Sequence, residues 1–247
     1  GDYFDAIHLS NIACEIPGFF PEGGAKNVAR RDGMGTTVLS AVTTIGKIPD
    51  YYFQAIGSGT GAIAAWEANL RLIEDGRYGQ NKMKLILSQN SPFIPIKQAW
   101  DAGSRELLPM DNDQARKQVE EISAKVLSNR KPPYGLTGGL FDALTDMGGD
   151  VIAVTNEEAK EANRLFEETE GNDLEPAAAV AVSSLIKTVQ NGTVKPDSII
   201  MINITGGGIS KFKKENKINY LEPSLVFPLN PDPEMVKQRI SQLFSKK

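Results

Sequence analysis

The residues best suited to chemistry fall in three glycine-rich stretches. Gly57-Ser58-Gly59-Thr60-Gly61 stands between an apolar run ending at Ile56 and a helical pattern opening at Ala62. Glycine permits positive φ and a close backbone approach to an anion, and the free N–H groups and positive dipole end of a helix favour phosphate. The hydroxyls of Ser58 and Thr60 add donors, so this stretch is expected to cradle a phosphate; a tight turn without a ligand needs fewer glycines. Thr205-Gly206-Gly207-Gly208 repeats the arrangement after the apolar run Ser198 to Ile204. If both runs are strands of one α/β sheet, both turns leave its carboxyl edge, where ligands collect. From its position alone, Thr205 suits hydroxyl bonding to the turn backbone as well as ligand contact. The third stretch, Glu22 to Thr36, carries Lys26, Arg30 and Arg31 beside Asn27. An Arg fork binds phosphate or carboxylate bidentately, whereas the same charges on a loop are also ordinary solvated surface.

Elimination narrows the phosphate. A nucleotide-triphosphate loop needs Lys-Ser/Thr directly after its last glycine, and Ala62-Ile63 stands there. Gly57-x-Gly59-x-x-Ala62 satisfies the permissive dinucleotide pattern, but the acidic ribose partner is missing, because the next apolar run, Lys84 to Ser88, continues into Gln89-Asn90. A phosphate- or nucleotide-binding module without catalysis stays open. With one cysteine, Cys14, and one histidine, His8, the chain builds neither an internal disulfide nor a Cys/His zinc site, so no metal is expected and the setting reads as reducing and cytoplasmic. A net charge of −4 and a pI near 5.3 give no footprint for nucleic acid or an anionic membrane. No stretch approaches the roughly 18 apolar residues of a membrane span.

The elements that must position these stretches follow from periodicity. The 247 residues suffice for one large domain. Continuous apolar runs predict buried strands at Tyr51 to Ile56, Lys84 to Ser88, Asp150 to Val154 and Ser198 to Ile204, with a weaker one at Glu106 to Pro109. Helices are expected over Ala62 to Glu74, Asn112 to Asn129, Glu157 to Glu168 and Pro176 to Gln190, the first stopping at Gly76 and the third capped from Thr155 or Asn156. Tyr3 to Ile12, Gly35 to Thr44 and Met235 to Phe244 read as further helices around a loop at Pro17 to Gly24. Alternating strands and helices predict an α/β fold with a three-layer, doubly wound, mostly parallel sheet.

In this order and spacing the motifs resemble the threonine synthase group of pyridoxal-phosphate enzymes, whose fold is the two-domain tryptophan-synthase β type. Asn27-x-x-Arg30-x-Asp32-Gly33-x-x-Thr36 is similar to that group's substrate-contacting Asn-x-x-Arg-x-Glu-Gly-x-x-Thr stretch, with Asp32 for Glu, and Gly57 to Gly61 to its cofactor-phosphate loop. Glu170-Gly171 with Glu175-Pro176-Ala177-Ala178-Ala179, and Thr205-Gly206-Gly207-Gly208, resemble its Glu-Gly, Glu-Pro-Ala-Ser-Ala and Thr-Gly-His-Gly segments. Within the group, the wording of Pro21 to Gly35 is most similar to the cysteate synthases.

The resemblance implies pyridoxal 5′-phosphate as cofactor and β-replacement on O-phosphoserine, in which sulfite takes the place of the phosphate to give cysteate for coenzyme M synthesis. Gly207, where threonine synthases carry His, makes phosphohomoserine the second choice of substrate. Gly57, Ser58, Gly59, Thr60 and Gly61 would bind the cofactor phosphate, Thr205 the pyridine nitrogen, and Asn27 with Arg30 the substrate phosphate, while Glu175 and Lys211 read as structural. The family's Schiff-base lysine sits in an early Ser-x-Lys segment that has no counterpart here, so no catalytic residue is assigned. The expectation is a carboxyl-terminal fragment, inactive alone, with residues 1–28 ending the small mobile domain and 29–247 forming the large fold type II domain; a homo-oligomer is compatible with it.

Overall fold

The computed structural model describes residues 1–245, arranged as a four-stranded parallel sheet between layers of helices. Strands β1 (Tyr51–Ala55), β2 (Lys84–Asn90), β3 (Asp150–Val154) and β4 (Ile200–Ile202) lie in the order β3-β2-β1-β4. Register places Phe53 between Ile86 and Ile202. The chain steps from β1 through β2 to β3 and then returns to lay β4 on the far side of β1. Winding therefore reverses between β1 and β4, and such a reversal opens a crevice at the carboxyl ends of the two strands.

Helices α2 (Val28–Ile45), α3 (Thr60–Asp75), α4 (Pro95–Asp101) and α6 (Leu140–Asp146) cover one face, where Val38, Ile63, Ile96 and Leu140 pack with Tyr52, Leu85 and Leu87. The other face carries α7 (Asn156–Glu170) and α8 (Pro176–Gln190). In α8 the run Ala177 to Val182 is almost wholly buried, because alanine side chains let a helix axis settle directly on the strands. Phe53 is fully enclosed between these layers, and truncating it to alanine would cost about 3–5 kcal/mol. Four further helices lie outside the sandwich: α1 (Tyr3–Ala13), α5 (Asn112–Glu121), α9 (Ile209–Glu215) and α10 (Pro233–Phe244).

The doubly wound expectation holds, with corrections. Glu106 to Pro109 forms no strand: the Ser104 hydroxyl closes a local turn by donating to the Glu106 carbonyl at 2.6 Å, and Pro109 has no N–H for a ladder. The helix predicted from Asn112 to Asn129 stops at Glu121, because the amides of Ser123 and Ala124 are taken by the side chains of Asn156 and Asn90, at 2.8 and 3.0 Å. Helix α2 starts at Val28, well before Gly35, since the Asn27 side chain caps it. The short helices α4, α6 and α9 carry too few apolar repeats to show in the pattern. Among the described residues, no helix is long and apolar enough to cross a membrane.

Candidate functional site

The five residues of the glycine stretch turn the chain from β1 into α3 on the rim of the crevice. Gly59 is left-handed at φ 80° and forms the start of α3, which has no side-chain cap. Each glycine is required by a neighbour. A Cβ on Gly59 would lie 2.5 Å from Leu140 Cδ2, one on Gly61 2.5 Å from the Gln54 carboxamide nitrogen, and one on Gly57 3.3 Å from the Val126 carbonyl oxygen. The Ser58 and Thr60 hydroxyls share a hydrogen bond of 2.9 Å. The first inward bond of α3 is donated by Ile63 to Gly59, so the N–H groups from Gly57 through Ala62 donate to no other described residue. Six unspent donors lie in sequence at a positive dipole end with no carboxylate bonded to them, which is the composition of an anion cradle.

Thr205 stands on the adjacent strand's exit. The Asn203 amide closes the ladder by donating to the Phe53 carbonyl at 2.9 Å, and Thr205 follows two residues later, exposed and with its hydroxyl unbonded among the described residues. The glycines behind it are packing glycines: a Cβ on Gly207 would sit 2.5 Å from the Asp173 carbonyl oxygen, and one on Gly206 3.0 Å from Glu175 Cγ. Glu175 meets this turn through its backbone, donating to the Gly206 carbonyl at 3.0 Å, and the Asp173 carboxylate takes the Ser210 amide, which holds its pKa below the usual carboxylate range.

Beneath the rim runs a buried chain of hydrogen bonds. Asn203 Nδ2 donates to the Tyr52 hydroxyl at 3.0 Å, and that hydroxyl donates to Gln54 Oε1 at 3.0 Å. Burial pushes the Tyr52 phenol up to about 12 despite the Asn203 bond, so it stays a neutral donor.

Asn27 and Arg30 lie elsewhere. Asn27 Oδ1 caps α2 by accepting from the Arg30 amide at 3.1 Å, and its Nδ2 donates to the Glu22 carbonyl at 2.7 Å. The Arg30 guanidinium pairs with Glu22 at 2.7 Å. The Gly24 amide foremost, aided by Arg30, holds the Glu22 carboxyl below its ordinary range. No hydrogen bond or ion pair among the described residues joins Asn27 or Arg30 to the glycine loop or to Thr205. Neighbouring Ala25 and Lys26 do share a groove of about 560 Å³ with Ile63 and Trp66 of α3.

One supporting residue escapes sequence reading. Asn90, fully buried at the end of β2, donates to the Val154 carbonyl at 3.0 Å and to Asn156 Oδ1 at 3.1 Å, and accepts from Ala124. Together these bonds pin the segment whose Val126 and Leu127 form the wall against Gly57. The only trace in the sequence is an amide residue at a strand end inside an apolar run, a position that Asn fills when it must satisfy several backbone groups at once.

The family described as "Pyridoxal-phosphate dependent enzyme" matches residues 1–206. The cysteate synthase of Methanosarcina mazei is 53% identical over 225 residues, 91% of this chain and 54% of that protein. That of Methanoregula boonei is 50% identical over 243 residues, 98% and 57% respectively. The chain thus spans about half the length of the curated relatives it matches. Among solved structures, a fungal L-serine ammonia-lyase from Rhizomucor miehei superposes with a TM-score of 0.54 at 18% identity, over 76% of this chain and 57% of that one. A serine racemase from Dictyostelium discoideum gives 0.52 at 18% identity, over 72% and 49%. These two likenesses are of fold.

Proposed function

Because this chain belongs to the family of pyridoxal-phosphate dependent enzymes, we propose that it carries the cofactor-phosphate domain of a cysteate synthase, which exchanges the phosphate of O-phosphoserine for sulfite. The observation that carries the proposal is the start of α3, where six N–H groups remain unspent at a glycine turn beside the β1/β4 crevice. The residues fit the group: the loop offers unspent N–H groups and two hydroxyls and no carboxylate side chain, and a Cβ at Gly59 or Gly61 would lie 2.5 Å from a neighbouring side chain.

When bound, pyridoxal phosphate supplies the electron sink that lets one β-substituent leave and another enter. Gly57, Ser58, Gly59, Thr60 and Gly61 hold its phosphate. Thr205 would offer a neutral hydroxyl to the pyridine nitrogen and, unlike a carboxylate, would leave that nitrogen uncharged. Asn27 and Arg30 receive the substrate phosphate, with Arg30 exchanging Glu22 for it. Gly207 favours this reading over threonine synthase, since a histidine there would collide with the Asp173 carbonyl. In this proposal residues 1–28 belong to the mobile small domain, 29–247 to the large one, and the lone Cys14 fits a reducing cytoplasm. The Ser-x-Lys spacings present, Ser123-Ala124-Lys125 and Ser245-Lys246-Lys247, both follow the glycine loop rather than precede it, so in this proposal the lysine that holds the cofactor covalently is none of these residues.

Absorbance titration of the chain with pyridoxal phosphate and with pyridoxal tests the phosphate site: the phosphorylated form binds far more tightly, and equal binding refutes the cradle. Borohydride reduction followed by peptide mass spectrometry gives only scattered lysine labelling. One stoichiometric adduct, with sulfite-dependent release of phosphate from O-phosphoserine, would overturn the placement of the lysine. Turnover of phosphohomoserine to threonine in a protein containing this chain would overturn the substrate.

A further inference from the structure

Gln54 is the residue of the rim that this reading leaves without a role. It lies on β1, 6% exposed, facing the same helical layer as Tyr52, and its carboxamide fills the space beside Gly61 where any other residue would carry a Cβ. Its orientation is dictated from outside. Asn203 Nδ2 can only donate, so the Tyr52 oxygen accepts there and turns its hydrogen to Gln54 Oε1. The Gln54 carboxamide, so held, lies flat against Gly61 in the first turn of α3, its nitrogen and oxygen 2.5 and 2.6 Å from where a Cβ would stand.

We infer that Gln54 is a positioning residue of the anion site: its carboxamide seats the first turn of α3 at Gly61, and the chain Asn203–Tyr52–Gln54 ties that seat to the strand leading to Thr205. The two arms of the site, one for the phosphate and one for the ring, are then spaced by a single buried hydrogen-bond chain, and neither arm moves without the other. This rests on the proposed cofactor site, and it adds residues that the glycine motif does not contain.

The test is a set of variants of the 247-residue chain, Gln54→Leu, Tyr52→Phe and the double variant, titrated with pyridoxal phosphate and with pyridoxal, with thermal unfolding run alongside. Gln54→Leu and Tyr52→Phe are each expected to weaken pyridoxal phosphate binding by about tenfold and pyridoxal binding by less than about twofold, the loss expected for one buried hydrogen bond. Because Tyr52 acts through Gln54, Tyr52→Phe adds nothing in the Gln54→Leu background. In the ligand-free chain, Tyr52→Phe also shifts the amide resonances of Thr60 and Gly61 while leaving those of α7 in place. A wild-type preference for the phosphorylated form that Gln54→Leu leaves intact overturns the inference alone. Additive losses, or losses equal for both compounds, reduce Gln54 to a packing residue. A wild-type chain without phosphate preference overturns the cofactor reading and this inference with it.

Discussion

Helices α2 and α3 pack against each other, held by Arg31 with Glu67 and Arg71 with Asp32, and both begin with residues that suit an anion. Their first turns differ in what already satisfies them. At α2, Asn27 takes the Arg30 amide and Glu22 takes the Arg30 guanidinium. At α3 the amides from Gly57 through Ala62 have no acceptor among the described residues, and no side chain caps the helix. An anion arriving at α3 has only to shed water, whereas at α2 it must displace a carboxylate. The Arg30 and Glu22 side chains are 43% and 55% exposed, so that displacement trades one solvated pair for another at small cost. The difference suits a resident group at α3 and a substrate that comes and goes at α2.

The strongest way to break this contrast is at Gly59. Alanine there must adopt a left-handed φ of 80° and place its Cβ 2.5 Å from Leu140. Left-handed strain alone costs about 1–2 kcal/mol, and relief of the clash pulls the turn out of shape, so Gly59→Ala is expected to weaken pyridoxal phosphate binding by about a hundredfold. Unfolding temperature falls as well, because Leu140 is core. Unchanged binding would show that the cradle is not where the phosphate sits.

Next in size is Arg30. A hydrogen bond to a charged group is worth about 1.5–3 kcal/mol, so Arg30→Ala should raise the half-saturating concentration of O-phosphoserine by about one to two powers of ten. Glu22→Gln removes the internal competitor and should move the same constant severalfold the other way. Isothermal titration of both variants decides the matter: if neither changes binding, Arg30 is surface charge and α2 holds no substrate.

How much of this was legible in the sequence depends on range. The capping box of Thr155 with Glu158 and the left-handed stop at Gly76 are written locally, because each is set by residues within four positions of one another, and the glycines of the β1–α3 turn are legible although the walls that need them, Leu140 and Val126, are not. The Asn27 to Thr36 stretch was legible as a motif but not as a structure, since nothing in it announces that Glu22 closes on Arg30. Asn90 was invisible for a different reason: its partners Ala124, Val154 and Asn156 lie 34 to 66 residues away. The truncated helix shares that cause, since Asn156 and Asn90 take its amides from a distance, whereas the failed strand has a local one in the Ser104 turn and Pro109.

Acid provides a smaller and more selective test. The Glu22 carboxyl is held below its ordinary range by the Gly24 amide and by Arg30. With a depressed folded pKa, the pair persists at neutral pH and is lost only as pH falls through that lowered value, which frees Arg30. Sulfate, which does not titrate in this window, should then bind at α2 about two- to fivefold more tightly at low pH, as expected when an exposed pair is released. Sulfate affinity at Gly57–Gly61 should stay flat, because that loop contains no titratable side chain. Amide shifts of Arg30 and Gly59 during sulfate titrations at several pH values read the two sites separately; parallel curves would erase the distinction between them.

The smallest effect is expected at Ser58. Its hydroxyl and that of Thr60 are bonded to each other at 2.9 Å, so between them they hold one free donor, not two. Removing Ser58 Oγ releases the Thr60 hydroxyl, which is buried at the helix start and can turn to the same anion. The net loss is then a fraction of the ~1 kcal/mol of one hydrogen bond, and Ser58→Ala should weaken pyridoxal phosphate binding by only about two- to threefold. Asn27→Ala at the start of α2 should instead cost about 1 kcal/mol of stability, since there the side chain is the cap. A large loss of cofactor binding on Ser58→Ala would mean that hydroxyls hold the phosphate at α3, and the two helix starts would differ less than their backbones suggest.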